Sequence, residues 1–140
     1  MEDSKFQFKG FIIKKAVFDR KDGEPSLKFN LDFSPRGLVN KKESCYQLHL
    51  GVKISDELEI FIIEVEAIAD FYFDAEIDPN LLGKMFYINA PAILFPYVRA
   101  YITTLTTLSG LKPLILPTLN LISLGEELKK NTVEVDKCDK

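Results

Sequence analysis

The stretch Tyr46-Gln47-Leu48-His49-Leu50-Gly51-Val52-Lys53-Ile54-Ser55 alternates apolar residues with polar or small ones without a break. Side chains of a strand point alternately to opposite faces, so this pattern predicts one covered and one exposed face, as in an antiparallel sheet. The short turn Ser55-Asp56-Glu57 then returns the chain into a fourth strand from about Leu58 to Phe73, paired as a hairpin. That strand is apolar on both faces around Phe61-Ile62-Ile63 and Phe71-Tyr72-Phe73, so part of its second face calls for further cover, such as another subunit. Upstream, Leu27, Phe29, Leu31 and Phe33 alternate with Lys28, Asn30 and Asp32 until Ser34-Pro35-Arg36-Gly37, which reads as a stop. The first strand begins at Phe6-Gln7-Phe8, is re-phased by a bulge at Gly10, and ends near Phe18 before the turn-forming Arg20–Pro25 stretch.

The last third reads as helix and loop. Asp78-Pro79 offers an N-cap and a first-turn proline for a short helix, and Asn89-Ala90-Pro91 repeats the signal for the main helix, which Gly110 ends. In that helix Ile93, Leu94, Tyr97, Val98, Tyr101, Ile102, Leu105 and Leu108 cover more than half the circumference, wider than one sheet requires. The proline-rich, apolar Leu111–Leu121 stretch is expected to lie extended over an apolar surface. Ser123 and Glu126 form a capping box for a brief last helix. Residues 1–131 therefore read as one domain and 132–140 as a mobile polar tail.

The chain has 140 residues, 46% of them hydrophobic, and a net charge of -3, with no clustered basic face to attract nucleic acid. The N-terminus shows no apolar signal region, and Ala90–Leu105 is broken by Pro91, Pro96 and Arg99, which argues against membrane insertion. Cys45, Cys138 and the single His49 form no metal-ligand spacing, so neither metal nor cofactor is expected, and the thiols read as reduced. His49 falls on the polar face of its strand without a nucleophile motif, and Glu57, Glu59, Glu64 and Glu66 read as a solvated acidic run. No catalytic constellation emerges.

The run Pro91-Ala92-Ile93-Leu94-Phe95-Pro96-Tyr97-Val98-Arg99 closely resembles the signature of the SecB protein-export chaperones around their long helix. Ser109-Gly110 falls where that family turns out of the helix, and Leu114–Leu121 is similar to the segment that follows. The resemblance spans about Phe6 to Leu124. It implies an α+β fold: a four-stranded antiparallel sheet with a long helix and a short C-terminal helix on one side. It further implies a cytoplasmic homotetramer, a dimer of dimers, that holds unfolded polypeptide clients and delivers them to the motor SecA. Some relatives instead guard a single antitoxin. This chain departs from the family in its short Asp19–Ser26 crossover, its lack of tryptophan, Lys15 where an acidic residue is expected, and a short last helix.

Residue pattern and resemblance together nominate an apolar client groove at Phe33, Leu38, Val39, Tyr46, Leu48, Leu114, Leu116, Leu119 and Leu121. A holdase must accept many sequences, and nonspecific burial at about 25 cal/mol per Å² suits that task better than a shaped polar pocket. Tyr97, Arg99, Tyr101, Thr104 and Leu105 are the candidate oligomer contacts, and Asp19 with Glu64 the candidate motor-docking residues by resemblance. A general export chaperone, a chaperone dedicated to one partner, and a small-molecule-binding domain are the competing readings. A deep, enclosed polar pocket would mark the third.

Overall fold

The computed structural model describes residues 5–117 and 120–137. Its elements are β1 (Phe6–Arg20), β2 (Phe29–Asn40), β3 (Cys45–Asp56), β4 (Phe61–Phe73), α1 (Pro79–Lys84), α2 (Ala90–Leu108), α3 (Leu121–Lys130) and β5 (Thr132–Glu134). A π-helical turn, Met85–Asn89, joins α1 to α2. The fold is α+β, but the expected four antiparallel strands are five in the order β1-β4-β3-β2-β5, and β5 runs parallel to β2. Thr132–Glu134, expected to open a polar tail, supplies that fifth strand.

β3 sits at the centre of the sheet. Tyr46, Leu48, Leu50, Val52 and Ile54 point to the helix side and are buried, as the alternation predicts. On β4, Phe61, Ile63, Val65, Ala67, Ala69, Phe71 and Phe73 fill the same face. β1 carries the expected irregularity between Phe8 and Gly10, where Gly10 adopts φ 128°, and a second between Ile13 and Lys15. Each shift restores apolar residues to the core side, so Phe6, Phe8, Phe11, Ile13 and Phe18 all oppose core positions of β4.

Ser34-Pro35-Arg36-Gly37 does not end β2, which stays in register with β3 to Asn40. The Pro35 carbonyl accepts from Asn131 Nδ2 at 3.2 Å, on the side away from β3. Pro35 therefore presents its missing N–H to the sheet's outer side, where no β3 bond is lost. Two residues on, Gly37 N–H donates to the Asn131 carbonyl on that same side.

Asp78 caps α1 as expected, accepting from Asn80 N–H. Asn89 is not a cap. It is helical, and its side chain donates to Met85 Sδ at 2.9 Å. The two expected helices are one 30-residue rod, Pro79–Leu108, with a π turn inside. By length and apolar composition alone this rod is able to cross a membrane. However, Leu94, Val98 and Ile102 are fully buried in the core, and its polar face makes the contacts described below. Pro91 has no N–H to return to the preceding turn. There, the Phe86 carbonyl accepts from the Tyr46 hydroxyl at 3.4 Å, and the Tyr87 carbonyl faces Gly125 of α3. The Tyr46 and Phe86 rings stack at 4.1 Å. Burial pushes the Tyr46 phenol well above its usual range, so it remains a donor.

α3 starts earlier than the Ser123 box implies. Asn120 is the cap, its side chain accepting from the N–H groups of Ile122 and Ser123.

Candidate client groove

The β1–β2 crossover has to pass from an edge strand over the ends of β4 and β3, and it rests on the turn between those two strands. Lys21 N–H donates to the Ile60 carbonyl at 2.7 Å and Glu57 N–H to the Lys28 carbonyl at 2.9 Å, binding the two ends of the loop. Its middle is held by a side chain: Ser26 N–H donates to Asp56 Oδ2 at 3.0 Å. The other oxygen, Oδ1, accepts from Phe61 N–H at 3.0 Å. Asp56 is fully covered. Covering a carboxylate raises its pKa, but backbone N–H groups from Phe61, Ser26, Ile60 and Leu58 outweigh this and hold it below its usual range.

The facing wall is the extended segment after α2, strapped back along that helix by polar side chains one turn apart. Thr106 Oγ1 accepts from Leu114 N–H at 2.9 Å, and Thr103 Oγ1 donates to the Leu114 carbonyl at 2.8 Å. Arg99 gives Nε and Nη2 to the Leu116 carbonyl at 3.2 and 3.0 Å. Gly110, at φ 83°, makes the reversal. Extended backbone without a ladder is thus satisfied by α2 itself.

Between loop and strap lies a groove of ≈ 370 Å³, lined chiefly by Pro25, Leu27, Phe29, Phe61, Leu111 and Leu114, with Arg20, Glu24 and Lys112 at its rim. Leu27 is 90% exposed and Phe29 45%, and the Phe29 ring stands 5.6 Å from that of Phe61. Leu31 and Phe33, half-buried, extend the same face along β2. Larger hollows exist elsewhere. One of ≈ 540 Å³ on the opposite sheet face is walled by Lys14, Arg36, His49, Glu66 and Lys130. Another of ≈ 620 Å³ beside α1 is rimmed by Lys41, Lys84, Lys129 and Glu134. Volume does not decide between them: Leu27, 90% exposed, lines the loop–strap groove beside Phe29, whereas the hollow beside α1 sets its exposed Ile88 and Val133 among three lysines.

Of the residues nominated from sequence, Leu114 lines this groove and Phe33 lies beside it, its ring 6.1 Å from Phe95. Tyr46, Leu48, Val39 and Leu116 are core residues, closed to a client in this structure because they are spent between sheet and helices. Leu38 is buried on the other sheet face, opposite Gln47. Leu121 is half-buried at the start of α3, and Leu119 lies outside the described residues. Leu27, Phe29, Leu111 and Asp56 were missed. The first two belong to the alternation of the second strand, and only the loop's path puts them at an open end of the sheet.

Among the candidate oligomer contacts, Tyr97 is 45% exposed with its ring 4.7 Å from Phe11. Tyr101 and Leu105 are half-buried and Thr104 is exposed, whereas Arg99 is turned to the strap. Asp19 opposes Ile62 and Glu64 opposes Val17, on neighbouring rows of the sheet face away from the helices, where Lys15 and Lys53 flank them. On that face His49 bonds Gln47 Oε1 at 2.8 Å and Arg36 at 3.2 Å, and Gln47 donates to Asp70. His49 belongs to a structural ladder rather than a nucleophile pair. Among the described residues no group of His, Cys, Asp and Glu is placed to hold a metal ion.

Residues 11–131 match the family model of the preprotein translocase subunit SecB. The chain belongs to the SecB family. These are protein-export chaperones, not enzymes. The SecB of Roseobacter denitrificans is 24% identical over 94% of this chain and 81% of its own length. An uncharacterised protein of Methanocaldococcus jannaschii is 30% identical over 95% of this chain and 92% of that one. The solved SecB-like chaperone of Mycobacterium tuberculosis, in complex with a peptide from an antitoxin, superposes with TM-score 0.69 at 21% identity, covering 82% of this chain and 91% of that one. At that identity the likeness speaks for the fold.

Proposed function

We propose that this SecB-family protein is an ATP-independent cytosolic holdase that keeps apolar segments of unfolded polypeptides in the loop–strap groove. The observation that carries the reading is the exposed Leu27–Phe29 wall, facing Leu111 and Leu114 across an open channel. The Leu114 N–H and carbonyl and the Leu116 carbonyl of the strap are already bonded to α2, and Leu27, Phe29, Phe61, Leu111 and Leu114 offer a client apolar contact. Each such site is weak because the client must be ordered, which favours several copies acting together. A homotetramer agrees with the open edge of the 15-residue β1 and the partly exposed Tyr97 face. Delivery to SecA rests on Asp19 and Glu64 sharing one face, and Lys15 and Lys53 dilute its charge.

The test is suppression of aggregation of a chemically unfolded client, without nucleotide, at stoichiometric oligomer. Wild type suppresses it and Leu27→Asp loses at least about half the effect. Absence of suppression by wild type ends the reading. A second reading, a chaperone dedicated to one partner such as an antitoxin, is favoured by the antitoxin-peptide complex of the M. tuberculosis chaperone. Co-purification separates the two: one abundant small partner supports dedication, a spread of envelope precursors supports general export.

A further inference from the structure

We infer that Asp56 is the positioning residue of the client groove, fixing the crossover loop as a rigid wall through its bond to Ser26. The inference rests on the groove reading above and adds to it what holds the groove open. Three features support it. The carboxylate is wholly covered, and the structure places backbone N–H donors on both of its oxygens. Ser26 lies 30 residues before Asp56 and Phe61 five after it, so one side chain joins the loop to the β3–β4 turn. Among the described residues the loop's other backbone hydrogen bonds to the β3–β4 turn lie at its ends, Lys21 and Lys28, which makes the Ser26 bond the tie nearest Pro25 and Leu27. Ser26 Oγ accepts from Lys28 N–H at 3.2 Å, a turn internal to the loop that adds no tie to the β3–β4 turn. Gly23, at φ 118°, allows the loop to descend onto Ile60.

A rigid wall matters to a holdase. If Leu27 and Phe29 are already placed, the client alone is ordered on binding, and bound segments leave more slowly. Neutralising Asp56 as asparagine cannot reproduce the arrangement, because its Nδ2 group donates where the native oxygen accepts.

The experiment uses the full-length oligomer, with reduced, carboxymethylated α-lactalbumin as client. Ser26→Pro deletes the N–H while leaving the Asp56–Phe61 bond, Ser26→Ala keeps the N–H, and Asp56→Asn weakens both ties. Hydrogen exchange at the loop's end ties, Lys21 N–H and Glu57 N–H, is expected to rise at least about ten-fold in Ser26→Pro and Asp56→Asn. Client dissociation is expected to accelerate at least about five-fold, at unchanged oligomer mass. Ser26→Ala behaves as wild type, and a general destabiliser remote from the groove, Gly125→Ala, leaves client release unchanged. An unchanged loop in both variants overturns the inference, as does a loosened loop with unaltered client release. Failure of the groove reading looks different: client binding to wild type is then indifferent to Leu27→Asp, whatever the loop's exchange shows.

Discussion

Thr106 shows how much one side chain does in this molecule. It is fully buried, its hydroxyl lies 3.1 Å from the Ile102 carbonyl and 3.0 Å from that of Thr103, and it accepts from Leu114 N–H. Thr106→Val keeps the shape but leaves the Leu114 N–H without its acceptor, and should cost about 1–3 kcal/mol in urea unfolding, with faster exchange of the strap. Asp56 makes a pH prediction. Its folded-state pKa lies below the usual 3.8. Its contribution is therefore complete above that value and lost as pH falls through the lower folded-state one. Unfolding midpoints measured between about pH 6 and about pH 2 should fall for wild type, and the slope of Asp56→Asn should be shallower in the acid limb. Equal slopes would remove Asp56 from the acid response. Neither role is visible in the sequence, where Thr106 sits in a run of threonines and Asp56 in an ordinary turn.

At the scale of elements, α3 packs closely against the π turn. A Cβ on Gly125 would stand 2.5 Å from the Tyr87 carbonyl oxygen. Alanine is the better helix former by about 1 kcal/mol, yet backbone cannot yield as a flexible side chain can, so Gly125→Ala should destabilise by about 1–3 kcal/mol. A melting temperature at or above wild type would refute that packing. The strands were largely legible because period-two alternation needs only one buried face to produce it: β3 and β4 lie close to where the pattern put them. The end of β2 was not. Whether a proline stops a strand depends on which side its N–H would have faced, and that is set by the neighbouring strand. The N-cap signal at Asn89 misled for a related reason. A residue before Pro91 reads as a helix start, while here a π turn, Tyr46 and Gly125 together accommodate the proline inside a continuous rod.

At the scale of the whole molecule, the half-buried Phe8, Phe11 and Ile13 of β1 and the Tyr97 side of α2 form an incompletely covered apolar face. If this face closes the proposed tetramer, wild type scatters light with four times the 16.0 kDa of one chain, and Tyr97→Asp reduces that mass. An unchanged mass in the variant moves the interface elsewhere. The groove is a feature of this scale too, assembled from β1, the crossover, β2, β4, α2 and the strap. That explains why the core residues Tyr46 and Leu48 and the groove residue Leu27 had the same appearance in one dimension.

What the sequence determined by itself is the layer architecture and the family. Hydrophobic period and the Leu94-Phe95-Pro96-Tyr97 run are local properties that survive without coordinates. What only the tertiary structure decided is which apolar residues remain open, and that a fifth strand joins the sheet. Exposure is the result of competition among all apolar side chains for a limited interior, and no residue's own neighbours in the chain reveal its outcome.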